Sequence, residues 1–199
     1  MLQELLKEAT KSHHDELEQL MFVGQIMDGS LAPALYQKLL AANYLTHAYF
    51  EEYIYSHLSP ALQDELNISE RVKLPALLKD VEELLIPIPV YDGGEDRLLM
   101  PAADDASLLG AMYVLEGATL GGHVIVKRLL VNPHLQTLDL GYHYYQSYGQ
   151  DLITKWKQFC QVLNTRVAPE DYDKAVQSAT DMFNNIKFFA RHASEVEAI

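Results

Sequence analysis

One cysteine, Cys160, in 199 residues leaves no internal disulfide and no cysteine-rich metal site, and reads as a buried thiol in a reducing compartment. Glycine (10) and proline (8) are too sparse for a linker-rich chain. Basic residues are scarce too: 15 Lys and Arg against 28 Asp and Glu give a net charge of −13 and a pI near 4.9. Such a field repels phosphate backbones and anionic lipid, so neither nucleic acid nor membrane is an expected partner. No apolar run approaches the roughly 18–20 residues that span a bilayer, and the opening MLQELLKEATKSHHDELEQL is broken by charges every few residues. These absences predict a soluble, cytoplasmic protein. No G-x-G-x-x-G fingerprint follows a strand pattern, so any electrons the chain uses come from elsewhere.

Helical periodicity is abundant. Apolar residues recur at helical spacing in nearly every segment, whereas alternation of period two is rare. The length suits one filled core, so residues 1–199 are expected to form one all-α domain, a compact bundle of six or so helices. The first helix is expected from about Leu2 to Met27, ending at Asp28-Gly29-Ser30. The second should run from Ala32-Pro33 to about His57, closed by Pro60, and the third from Ile68 to Ile86, stopped by Pro87-Ile88-Pro89. A polar loop, Asp92-Gly93-Gly94-Glu95-Asp96, precedes a helix that Asn132-Pro133 terminates. Two more occupy about Tyr142–Thr165, irregular at Gly149, and Pro169–His192. A ligand site in such a bundle lies between helices.

The fourth of these helices contains LEGATLGGHVIVKRLL at residues 115–130, with Gly110 one heptad before Gly117. Each interior glycine weakens a helix by roughly 1 kcal/mol relative to alanine, so something should compensate. At about 100° per residue Gly110, Gly117 and Gly121 fall within about 40° of one another over about 16 Å, a stripe without side chains. Val114, Ala118 and Val124 border it, while Glu116, Thr119 and His123 point away. Either a second helix packs closely there or a planar ligand lies on the backbone.

On the first helix Leu2, Leu5, Leu6, Ala9, Leu17 and Leu20 make an apolar stripe, with His13 near its centre and His14 about 100° further round. His13 therefore reads as a buried, hydrogen-bonded core histidine. His14 has Glu18 four residues on, placed to take one ring proton and leave the other nitrogen for a metal. The same spacing also describes a solvated surface pair. Lys7 projects to that face two turns earlier, where an ammonium can meet a ligand carboxylate.

Three stretches together resemble the haem oxygenase family, particularly the bacterial members associated with bacteriophytochromes. LLKEATKSHHDELE at residues 5–18 is similar to the family's L-x-E-A-T-x-x-x-H-x-x-x-E helix, which implies His14 as the proximal haem-iron ligand and Glu18 as its supporting carboxylate. GAMYVLEGATLGGHVI at 110–125 resembles the distal helix, whose glycines, here Gly117 and Gly121, let the backbone pass over the porphyrin. YHYYQSYGQDLITKWKQF at 142–159 resembles the later Y-G…W-x-x-F segment and puts Lys157 where a basic residue anchors a propionate. Ala118 stands where many members carry an aspartate that organises distal water. Gln161 stands where some have a second basic anchor, and Tyr113 is one residue off a family tyrosine.

The resemblance implies oxidative opening of haem, both cofactor and substrate, to biliverdin, carbon monoxide and ferrous iron. It also implies O2, an external electron donor such as a separate reductase or ferredoxin, and a biliverdin-accepting phytochrome as partner. With no acid at Ala118, distal water would be held by main-chain carbonyls or by Asn43, Tyr44 or His47, and the donor would dock near Lys127 and Arg128. Two alternatives remain: a non-catalytic haem carrier, and a non-haem protein of the same fold, di-iron or thiaminase-like. A di-iron site would draw on His47, Glu51, Glu52, Glu82 and Glu83, which otherwise read as a charged, solvated face.

Overall fold

Prolines mark where several helices begin, because a proline in the first turn gives up an N–H that has no partner there. In a computed structural model describing residues 1–94 and 97–195, α4 (Pro33–His57), α5 (Pro60–Leu66) and α6 (Leu74–Glu83) each carry one in that turn. Pro60 thus opens a helix rather than only closing the one before. The expected Ile68–Ile86 helix is shorter, a 3-10 turn at Ile68–Glu70 leading into α6. Glu95 and Asp96 of the expected polar loop lie outside the described residues.

The expected first helix is divided into α1 (Leu2–Ala9), α2 (Lys11–Leu20) and α3 (Val23–Asp28). At the first break the Thr10 hydroxyl donates back to the Leu6 carbonyl at 2.8 Å, a contact that competes with regular helix geometry. At the second, Phe22 adopts a left-handed φ of 57°. Gly29 at φ 78° ends α3, as its composition suggests. The remaining helices are α7 (Asp105–Leu129), capped by Asp104, α8 (Leu152–Arg166) and α9 (Tyr172–Glu195). The chain enters α8 through 3-10 turns at Tyr144–Gln146 and Gly149–Asp151, Gly149 having φ 48°, and enters α9 through another at Pro169–Asp171. Nine α-helices and no strand are found among the described residues, so all-α is right and six helices was too few.

α9 is the spine on which α7, α4, α2 and α1 pack. One apolar cluster gathers Leu6, Phe50, Leu109, Met112, Phe159 and Phe189, and a second gathers Ile26, Tyr36, Leu40, Val81, Val126 and Leu129. α7 joins the first through Leu115 and the second from Val126 on, so its glycine turn lies between the two. Among the described residues, α7 alone is long and apolar enough to cross a membrane, but 56% of its apolar window is buried inside the bundle. Cys160 is buried as expected of core filler, and burial, with a contribution from Glu116, pushes its thiol up to about 11.

Candidate functional site

α2 is fastened to α9 by Glu16, which accepts from Lys187 Nζ at 2.8 Å and Arg191 Nη2 at 2.6 Å. Lys187 also donates to His13 Nδ1 at 3.1 Å. These contacts turn His13 toward α9, where it is half-buried rather than fully buried, because α2 lies on the outside of the bundle and fully buries none of its residues. His14 is turned outward with 60% of its side chain exposed. Its Nδ1 stands 3.7 Å from Glu18 Oε1, too long for a hydrogen bond, with both side chains largely in solvent.

The glycines of α7 separate into two kinds. A Cβ on Gly110 would lie 2.2 Å from the Ala175 carbonyl oxygen, and one on Gly122 would lie 3.0 Å from the Tyr145 carbonyl oxygen, so both exist for close packing. A Cβ on Gly117 would meet only the Trp156 ring edge at 3.8 Å, and one on Gly121 only Ile125 of the same helix at 3.8 Å. Gly110 therefore leaves the expected three-residue stripe, and the bare face is Gly117 and Gly121, with Ala118 and Val124 exposed beside it. α2 and α7 both pack on α9 without extended contact with each other, leaving the His14 side chain and the glycine turn uncovered. Lys157 is exposed on α8 next to Trp156, and Lys7 is exposed on α1. Two depressions of about 610 and 630 Å³ lie elsewhere, and neither is lined by His14 or by a glycine of α7.

Behind the glycine turn is a group the sequence reading did not assign. Glu116 is 1% exposed. It accepts from Arg71 Nη1, from Lys73 Nζ at 2.6 Å and from the Tyr148 hydroxyl at 2.8 Å. Burial pushes its carboxyl up, but Lys73 and Arg71 prevail and hold it below the ordinary carboxylate range. The signal was present: Glu116 is the sole Asp, Glu, Lys or Arg from Ala106 to Val126, and a lone acid in a buried helix requires partners.

His47 and Glu51 are also buried, not on a solvated face. His47 Nδ1 meets Glu51 Oε2 at 2.6 Å, while Glu51 accepts the backbone N–H groups of Lys73 at 2.9 Å and Leu74 at 3.1 Å. His47 Nε2 meets the Tyr144 hydroxyl at 3.3 Å, so this histidine is fully engaged in the core and is not available to hold distal water. Asn43, half-buried, donates to the Leu39 carbonyl and the Tyr145 hydroxyl. Glu52 and Glu82 are exposed, and Glu83 pairs with His143 at 2.8 Å. Among the described residues, the triads of potential ligands are His14, Asp15, Glu18 and Asp80, Glu83, His143. The five residues of the di-iron alternative do not converge.

Residues 1–88 match the family model described as Heme oxygenase. A heme oxygenase of Xanthomonas campestris pv. campestris (strain 8004) is 28% identical over 139 residues, 70% of this chain and 78% of that protein. The fold is similar to that of the Neisseria meningitidis heme oxygenase solved with NO and CO bound (TM-score 0.76, 21% identity, 100% of this chain and 94% of that one). It is also similar to the heme oxygenase-1 of Synechocystis sp. PCC6803 in complex with heme (TM-score 0.71, 18% identity, 96% and 91% covered). The sequence likeness thus covers residues 1–88 by the family model and 139 residues at 28% identity, and the likeness of fold, which spans the whole chain, shows that the chain has the fold of the solved haem oxygenases.

Proposed function

We propose that this chain is a cytoplasmic haem oxygenase that opens haem to biliverdin, carbon monoxide and ferrous iron, using O2 and electrons from a separate reductase or ferredoxin. The observation that carries this reading is the pair of uncovered glycines, Gly117 and Gly121, on a helix whose other two packed glycines are filled by main chain. A face that admits no more than backbone accepts a flat ring, and the exposed His14 offers a neutral nitrogen ligand to its metal. Bound haem supplies the redox iron and is itself the substrate.

The chain's own residues then have distinct tasks. His14 would hold the iron through Nε2, and Glu18, 3.7 Å from Nδ1, would accept the ring's other proton once a small side-chain movement brings the two into hydrogen-bond range. Gly117 and Gly121 would let a flat ring lie against the main chain of α7, and their carbonyls would hold a proton-carrying water, since Ala118 has no ionisable group. Lys7 and Lys157 are the exposed cations that receive propionates. A biliverdin-accepting phytochrome would take the product.

The test is a haem titration followed by reductant under air. One equivalent should give an intense Soret band, which decays with ascorbate or reduced ferredoxin as biliverdin absorption rises. Binding followed by slow bleaching without biliverdin identifies a carrier, and no Soret band removes the haem reading.

A further inference from the structure

Arg71 is buried, and its guanidinium bridges α7 and α8. Nη1 donates to Glu116 on α7, while Nη2 donates to the Lys155 carbonyl at 3.1 Å and to Gln158 Oε1 at 3.2 Å on α8. Nε is held by the Leu66 carbonyl at 2.7 Å. The residue after Glu116 is Gly117, and the residue after Lys155 is Trp156, whose ring edge borders the bare face of Gly117. Lys73 and Tyr148 occupy the rest of the Glu116 carboxylate, and the Thr119 hydroxyl donates to the Glu116 carbonyl at 2.6 Å. Both the side chain and the main chain of Glu116 are therefore held.

A planar guanidinium donates at fixed angles, so a bridge made through it sets a distance as well as a charge balance. A buried ion pair is a poor way to gain stability compared with apolar packing of similar volume, which favours a positional role here. We propose that Arg71 and Glu116 are positioning residues, a buried strut that sets the separation of Gly117 from Trp156 and so the shape of the haem-facing wall. The consequence for haem rests on the function proposed above; the strut itself is tested without haem.

Trp156 is the protein's single tryptophan, so its fluorescence reports this junction directly. In the haem-free full chain, Arg71→Lys keeps the charge but loses the fork, and Glu116→Gln keeps the shape but loses the charge. Both should at least double the acrylamide quenching constant of Trp156 and shift its emission to the red, well below the unfolding midpoint and with helical circular dichroism retained. Arg166→Lys, which alters an exposed pair with Glu65, should leave Trp156 unchanged. Folded variants with wild-type quenching overturn the proposal. If Arg71→Lys does not fold, Glu116→Gln decides; if neither folds, Gln158→Ala decides, its quenching rising by at least half if the strut exists and staying at the wild-type value if it does not. A wild-type protein that binds no haem while these variants still mobilise Trp156 would remove the haem reading and leave the strut standing.

Discussion

Gly110 of α7 lies so close to the main chain of Ala175 that a single Cβ would come within 2.2 Å of its carbonyl oxygen. Eleven residues on, the corresponding space at Gly121 holds only the helix's own Ile125. The same residue type therefore answers two demands on one helix, and alanine separates them. Gly110→Ala should destabilise the haem-free protein by about 1–3 kcal/mol, since backbone cannot yield as a side-chain tip can. Gly121→Ala should raise haem-free stability by up to about 1 kcal/mol through helix propensity. Gly121→Leu should also fold, yet haem affinity should fall in the order Gly, Ala, Leu. Denaturant unfolding and haem titration on the same variants check both trends; a loss of haem-free stability in Gly121→Ala would return this glycine to a packing role.

The two adjacent histidines should separate just as clearly. His14→Ala should abolish or remake the axial ligation and shift the Soret band. His13→Ala, which removes an acceptor of Lys187 but leaves Glu16 to hold α2 on α9, should keep the wild-type spectrum with a modest loss of stability. The reverse pattern in visible spectra would show that His13 is the ligand.

The contrast between these residues shows what periodicity could and could not reveal. Stripe position put His13 inward and His14 outward, because a helix converts sequence spacing directly into angle. It could not show that Thr10 and Phe22 would divide the first helix, since each break depends on a local choice between side-chain and main-chain bonding. The glycine stripe was visible as angle, but its division into packed and open members depends on where Ala175 and Tyr145 arrive from 23 or more residues away in sequence. The burial of His47 and Glu51 was hidden for a similar reason: an i,i+4 pair on one helix reads as solvated until Lys73, Leu74 and Tyr144 arrive from other elements. Glu116 was legible as a lone acid in an apolar helix, but its partner Arg71 lies 45 residues away in sequence, and spacing could not name it.

Lys157 is exposed, so its removal should hardly touch folding: Lys157→Ala is expected to unfold within about 0.5 kcal/mol of the parent protein. If it receives a propionate, the loss lets the ring settle in other rotations, and chromatography of the product should show a changed ratio of biliverdin isomers. An unchanged ratio would mean that the propionates are held by other residues, Lys7 among them.

The last prediction concerns acid. Burial holds the His47 imidazole below its ordinary range; Lys73 adds to that, while Glu51 and the more distant Glu116 oppose it, and the Tyr144 hydroxyl meets its other nitrogen. In the unfolded chain it titrates near 6.5. Below that pH the unfolded chain takes up a proton that the folded protein refuses, so stability should fall as pH drops from about 6.5 through the lower folded value, by at most about 1.4 kcal/mol per pH unit for this one group. Above about 6.5 His47 adds no pH dependence. Glu51 is pushed up by burial but drawn below the ordinary carboxylate range by His47 and two backbone N–H groups, so it loses its contribution only in a more acid window. His47→Gln should start from a lower stability because it disturbs this arrangement, and the slope rather than the absolute value is the test. Denaturant unfolding between pH 5 and pH 8 should give a flatter profile for the variant below about 6.5 and parallel profiles above it. The other seven histidines cancel in the comparison. Profiles that stay parallel throughout would mean that the folded protein accepts the proton at His47 as readily as the unfolded chain does, and that Glu51 outweighs burial.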